Sequence, residues 1–318
     1  MPESAGSQPQ PSRARLSAGL VLTIVLVAFE GLAVSTIMPV TAIALHGLRL
    51  YSWTFSGFML GALVGTIAVG DYADREGPSR PFALALLIFS LGLIVCGFAT
   101  TMPVFIAGRV IEGLGTGALR SMVWLTLNRG FGAGDHARMG ALLSSAWVVP
   151  SLVGPALAGV IAHLWSWRAV YLALLPLVPL TLWIILRPLA QVAAERRASG
   201  ARPIGAAIQL GIGVAVFLSG LQQSAALPAL VLIAAGSALA LPALHRTLPP
   251  GTLGFRRGLP AVLGVRGLLT FAYFGAVAFF PLALEVVRGL TPTVAGVVLS
   301  VGSLGWTGGS WTAAWLDY

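Results

Sequence analysis

Ten apolar runs follow one another along the chain, at about 17–39, 52–70, 81–100, 103–127, 139–163, 167–188, 204–221, 226–244, 261–285 and 292–315. A hydrocarbon core of ~30 Å takes about 20 residues of helix to cross, so each run is long enough to span a bilayer. Only 9% of the residues are charged against 57% hydrophobic, whereas soluble domains carry about 25% charge. Such a chain cannot hide its apolar surface from water, and lipid is its solvent. Lipid offers no partner to a free N–H or C=O, so spans must be helices or strands of a closed barrel. Barrel strands alternate over ~10 residues rather than staying apolar throughout. The expected fold is all-α: a polytopic membrane helical bundle.

The formal charge of +9 would elsewhere point to nucleic acid. Here every basic residue apart from histidine is an arginine, and these sit in short connections without a continuous basic face, so no nucleic-acid partner is expected. Fourteen arginines, from Arg13 to Arg266, fall on alternate connections, and only Arg49, Arg168 and Arg288 fall on the opposite set. This asymmetry predicts that the N-terminus and residues 70–77 are cytoplasmic. Residues 1–16, rich in Pro, Ser and Gln, read as a disordered cytoplasmic tail. A six-helix bundle is expected over 17–188, cytoplasmic linkers at 189–203 and 245–260, and an inserted helix pair at 204–244 between them. Residues 261–318 then open a second bundle. An acidic residue closing an apolar run, first met at 70–77, returns at Asp317 beside the final Tyr318. The expectation is therefore that these residues belong to a longer protein.

The connection Gly70-Asp71-Tyr72-Ala73-Asp74-Arg75-Glu76-Gly77 reads as a charged turn between the second and third runs. Its terminal glycines permit tight backbone, and Asp74 is placed to accept from the free N–H groups that open the next helix. Arg109 and Glu112 in the fourth run stand three residues apart on one helix face. Charge at that depth is costly unless it meets a partner or water. The pair is thus either a functional site or an ion pair locking two helices. Arg120, further along the same run, is expected to snorkel to the membrane surface. Glu30 lies in the middle of the first run with no arginine within helical reach. Burial disfavours a charged carboxyl, so Glu30 is a candidate proton carrier, the alternative being a neutral acid bonded to a neighbouring helix. In the fifth run Pro155 removes a helical hydrogen bond, while Gly154, Ala158 and Gly159 supply a smooth packing surface. Gly57, Gly61 and Gly65 predict close packing of the second run. The lone Cys96 reads as core filler. No metal-ligand cluster, phosphate-binding loop or Ser/His/Asp set occurs in the sequence, so no enzyme activity, metal or cofactor is expected.

These residues together resemble the major facilitator superfamily, and within it the fourteen-helix drug:proton antiporter branch. Residues 70–77 are similar to the family loop G-x-L-a-D-r-x-G-r-k, with Tyr72 for Leu and Pro78 and Ser79 for the basic pair. Arg109, Gly113 and Gly115 match the pattern R-x-x-Q-G-x-G, with Glu112 for Gln. Gly154-Pro155-Ala156-Leu157-Ala158-Gly159 resembles the antiporter signature G-P-x-x-G-G. Glu30 stands nine residues before Pro39, the offset of the acidic residue in the branch's first-helix motif. The stretch from Ala283 through Glu285 to Gly296 resembles the opening of a second six-helix unit.

The resemblance implies a multi-pass inner (plasma) membrane transporter that exports small amphipathic or drug-like molecules in exchange for protons, by alternating access between two bundles. It makes Glu30, Arg109 and Glu112 the proton-coupling candidates. Gly70, Asp71, Asp74, Arg75 and Gly77 become a conformational gating loop, and Gly154, Pro155 and Gly159 an antiporter helix kink. The implied partners are a small-molecule substrate, protons and the lipid bilayer, with a monomer as the expected unit. Rival readings are a superfamily transporter of another solute, a non-transporting fragment, and a helical channel or receptor.

Overall fold

The structure, a computed structural model, describes residues 13–192 and 204–301. Twelve helices are described: α1 (Arg13–Ala44), α2 (Tyr51–Glu76), α3 (Ser79–Gly97), α4 (Met102–Gly130), α5 (Ala133–Ser145), α6 (Val148–Leu164), α7 (Trp167–Leu172), α8 (Leu177–Ala190), α9 (Ile204–Leu221), α10 (Ala226–Thr247), α11 (Leu259–Leu282) and α12 (Pro292–Val301). No strand occurs among the described residues.

Among the described residues, eight stretches are long and apolar enough to cross a membrane. The other two expected runs are α4, whose apolar character is diluted by Arg109, Glu112 and Arg120, and α12, the described part of the last run. With 29 residues, α4 is about 43 Å long. The fifth and sixth runs each divide in two, and proline is the cause. Pro150 has no N–H to offer the carbonyl of Ala146, where α5 ends, and Pro176 does the same before α8.

Residues 70–77 depart from the expected turn. Helix α2 continues to Glu76, and only Gly77, at φ +81°, breaks it. Glycine takes that left-handed backbone without a steric cost, and Pro78 follows at the start of α3. The expected capping of α3 by Asp74 is not formed, since α3 has no side-chain cap. Asp74 Oδ1 instead accepts from Arg129 Nη2, in the last turn of α4, at 2.6 Å.

Glycines set the central packing. A Cβ on Gly61 would stand 2.2 Å from Val110 O and one on Gly65 2.1 Å from Leu114 O. Reciprocally, Gly113 would meet Phe58 O at 2.1 Å and Gly117 would meet Ala62 O at 2.0 Å. Without a hydrophobic drive in lipid, close backbone approach of this kind is what joins two helices. Gly92 and Gly115 do the same between α3 and α4, so α4 is clasped on two sides.

Helix α1 lies against α6 and α8 and is held differently. Thr23, Ser35, Thr36 and Thr41 are buried, yet each donates its hydroxyl to the carbonyl four residues back in α1 itself, at 2.7, 2.9, 3.4 and 3.0 Å. Helices α9 and α10 form a hairpin closed by Gly213, Gly220 and Gly236, and α9 reaches the rest through α2. Helix α11 packs on α1, and helices α11 and α12 make two further close contacts with the rest among the described residues. Tyr51 donates from α2 to Ala278 O at 2.7 Å, and α12 lies backbone-close on α6. There a Cβ on Gly159 would be 2.6 Å from Pro292 O, and one on Gly296 2.2 Å from Pro155 O.

Candidate functional site

The helical turn that places Arg109 and Glu112 on one face of α4 also turns both toward α1. Arg109 Nη1 donates to Glu112 Oε2 at 2.6 Å and to Glu30 Oε1, so one guanidinium nitrogen is shared by two carboxyls. Arg109 Nε donates to the backbone carbonyl of Thr54 at 3.4 Å, and the guanidinium lies 4.2 Å from the centre of the Phe58 ring. Both of these partners belong to α2, and the glycine contacts described above set their distance from α4. Cys96 Sγ lies 3.8 Å from Glu112 Oε2 and 3.6 Å from Phe105 O.

Solvent reaches none of this: Glu30 and Glu112 are 0% exposed and Arg109 is 3% exposed. Each carboxyl also keeps one oxygen, Glu30 Oε2 and Glu112 Oε1, without a hydrogen-bond partner among the described residues. One cation facing two ionised carboxylates leaves a net negative charge in a site where desolvation is expensive. A single proton on either carboxyl brings the formal sum to zero. The arrangement is thus one proton short of neutrality, with both carboxyls held by the same guanidinium.

The sequence singled out Glu30, Arg109 and Glu112 separately, and the structure brings all three together. It does not bring the 70–77 segment to them. Asp74 lies twenty residues along α2 from Thr54, about 30 Å away, where it pairs with Arg129. Arg75 is exposed, Gly70 and Gly77 are buried, and the side chain of Asp71 lies outside the described residues. Gly154 and Pro155 stand in α6 on a third side. A Cβ on Gly154 would meet Phe29 at an ordinary 3.5 Å, so the close contact expected there is made by Gly159 instead. Thr54, Phe58 and Arg129 were not read from the sequence as site residues, and nothing in the local pattern marks them.

Across α1 from the carboxyl cluster lies an apolar cavity of about 230 Å³. Leu32 of α1 lines it together with Tyr273, Val277 and Phe280 of α11 and Val298 of α12. Leu32 follows Glu30 by two residues, about 200° around the helix. Cavity and cluster are thus at one depth on opposite faces of a single helix.

A model of the Major Facilitator Superfamily matches residues 20–317. A probable multidrug-efflux transporter of Mycobacterium tuberculosis is 27% identical over 299 residues, covering 89% of this chain and 62% of that protein. Multidrug resistance protein 3 of Bacillus subtilis is 25% identical over 294 residues, covering 89% of this chain and 57% of that protein. The chain thus spans about three fifths of the length of these curated relatives.

Proposed function

The chain belongs to the major facilitator superfamily, and on that footing we propose that the protein exports small amphipathic molecules in exchange for protons by alternating access. The observation that carries this reading is the sharing of Arg109 between two fully buried carboxyls. Exchange requires a site whose proton affinity depends on the conformation around it, and a buried carboxyl supplies one. Affinity falls when a cation approaches and rises when it withdraws. Protonation of Glu30 weakens its hold on Arg109 and leaves the guanidinium to Glu112, which frees α1 from α4. Helix α1 also walls the apolar cavity, so its release alters the space a substrate occupies. The relatives named as multidrug-efflux and multidrug-resistance proteins support an amphipathic cargo.

In the same scheme residues 17–188 form one bundle, 204–244 an inserted pair and 261 onward the start of the second bundle. The Asp74–Arg129 bond, with Gly70, Asp71, Arg75 and Gly77 around it, gates the cytoplasmic end. Pro155 and Gly159 form the bearing between the bundles.

The test is substrate efflux from liposomes holding the full-length protein under an imposed pH gradient. Glu30→Gln keeps size and hydrogen bonding but cannot titrate. It should retain substrate binding and lose at least about tenfold in gradient-driven export, the low end of what a positioned proton-transfer group contributes being larger still. Wild-type gradient dependence in Glu30→Gln would assign coupling elsewhere.

The arginine asymmetry supports a cytoplasmic N-terminus. Alkaline phosphatase fused after Glu76 should then be inactive, and fused after Gln223 active. The reverse pattern would overturn the orientation.

A further inference from the structure

We propose that Tyr171 is a fourth member of this cluster, a positioning residue whose hydroxyl donates to Glu112 Oε1 when that carboxyl is ionised. The proposal rests on the proton-exchange reading of the site.

Tyr171 belongs to α7, a short helix at the edge of the apolar core. It packs on α3, where a Cβ on Gly97 would lie 3.7 Å from the Tyr171 Cβ. Its ring stands edge-on to Phe105 at 5.6 Å and to Trp167 at 6.3 Å. Phe105 is one turn before Arg109 on α4, and its carbonyl touches the same Cys96 sulfur that touches Glu112. The ring is therefore wedged against the turn that carries the cluster. Tyr171 is 1% exposed, and its hydroxyl has no hydrogen-bond partner among the described residues.

A buried phenol usually finds a partner. If packing were the whole requirement, phenylalanine would fill this space without leaving a polar atom unmatched. Two buried acceptors of the cluster lack a donor among the described residues: Glu112 Oε1 and Glu30 Oε2. The charged and titratable groups around Tyr171 are Arg109 and Glu112 from α4, Cys96 from α3 and Glu30 from α1. Arg168, on its own helix, is turned away to Ala99 O at 2.9 Å. Of the two acceptors Glu112 is favoured, because Cys96 links it to the α3 surface on which Tyr171 sits. When Arg109 shifts toward Glu30, Glu112 loses its cation, and the phenol O–H replaces part of it. Tyr171 keeps its own proton throughout; the proton that moves is the carboxyl's.

A hydrogen bond to the charged form lowers proton affinity. Tyr171→Phe should still fold, since phenylalanine fills the same space, and should bind the exchangeable proton about tenfold more tightly, a rise of about one unit in the deprotonation midpoint. The midpoint is read on purified protein from the infrared band of the protonated carboxyl. In a Glu112→Gln background the same substitution should leave the remaining midpoint unchanged. A wild-type midpoint in folded Tyr171→Phe, or an equal shift in the Glu112→Gln background, overturns the proposal. A readout without substitution guards against misfolding: the tyrosine C–O stretch of the wild type must shift in the same pH step, and a silent band overturns the assignment. None of these measurements needs transport. Absence of gradient-driven export by the wild type would sink the proposed function alone, and an unchanged titration would sink this hydrogen bond alone.

Discussion

Replacing Arg109 with methionine should cost about 3–5 kcal/mol of stability at neutral pH, the range found when one partner of a buried ion pair is removed. Methionine keeps much of the length and the apolar stem, so lost packing is a small part of the change. What disappears is the cation that Glu30 and Glu112 share, together with the donor to Thr54 O and the partner of the Phe58 ring. Two fully buried carboxyls then have no cation beside them, and their uncompensated charge is what destabilises the fold. Adding Glu30→Gln and Glu112→Gln to Arg109→Met should recover most of the loss, read as thermal unfolding in detergent at neutral pH. No recovery would mean that the guanidinium does not neutralise the carboxyls.

A single methyl group at Gly113 should be nearly as damaging. Its Cβ would stand 2.1 Å from the carbonyl oxygen of Phe58; the oxygen belongs to helix backbone and the Cβ is fixed directly to it, so neither can swing aside. Helices α2 and α4 must separate by more than 1 Å, at a cost of about 1–3 kcal/mol or more. The consequence reaches the site, because Phe58 and Thr54, on the displaced helix, hold the guanidinium from behind. Gly113→Ala should lower both folded yield and Arg109-dependent proton exchange. Gly154→Ala, whose Cβ would meet Phe29 at 3.5 Å, should do neither. Size-exclusion profiles of the two variants in detergent separate the cases. Equal yield from both would show that the backbone contact is softer than its geometry.

The helices were legible because a bilayer leaves the chain so few options: an apolar run of twenty residues has one stable form. Charges inside such runs were equally conspicuous, which is why Glu30, Arg109 and Glu112 could be named from the sequence. Their meeting could not, since Glu30 and Arg109 are 79 residues apart and their approach depends on how α1 and α4 are seated. Residues 70–77 misled because exposed charge between glycines looks the same in a loop and in a final helical turn. Gly154, Ala158 and Gly159 were read together as one packing surface, and the sequence does not say which of them makes the tight contact. Gly154 lies five residues from Gly159, about 140° around α6, and only the latter faces α12. Tyr171 follows Ser166 and Trp167 in a segment whose composition suggests an aromatic anchor at the membrane surface, and its burial depends on how α7 packs on α3 and Phe105.

Helix α1 ends up with an unusual mechanical character. Thr23, Ser35, Thr36 and Thr41 spend their hydroxyls on their own helix, so along most of its buried length α1 offers its neighbours a smooth surface with few polar catches. Near mid-length the exception is Glu30, bolted to Arg109. In the proposed exchange, protonation of Glu30 draws that bolt and leaves α1 with few polar catches to hold it in place.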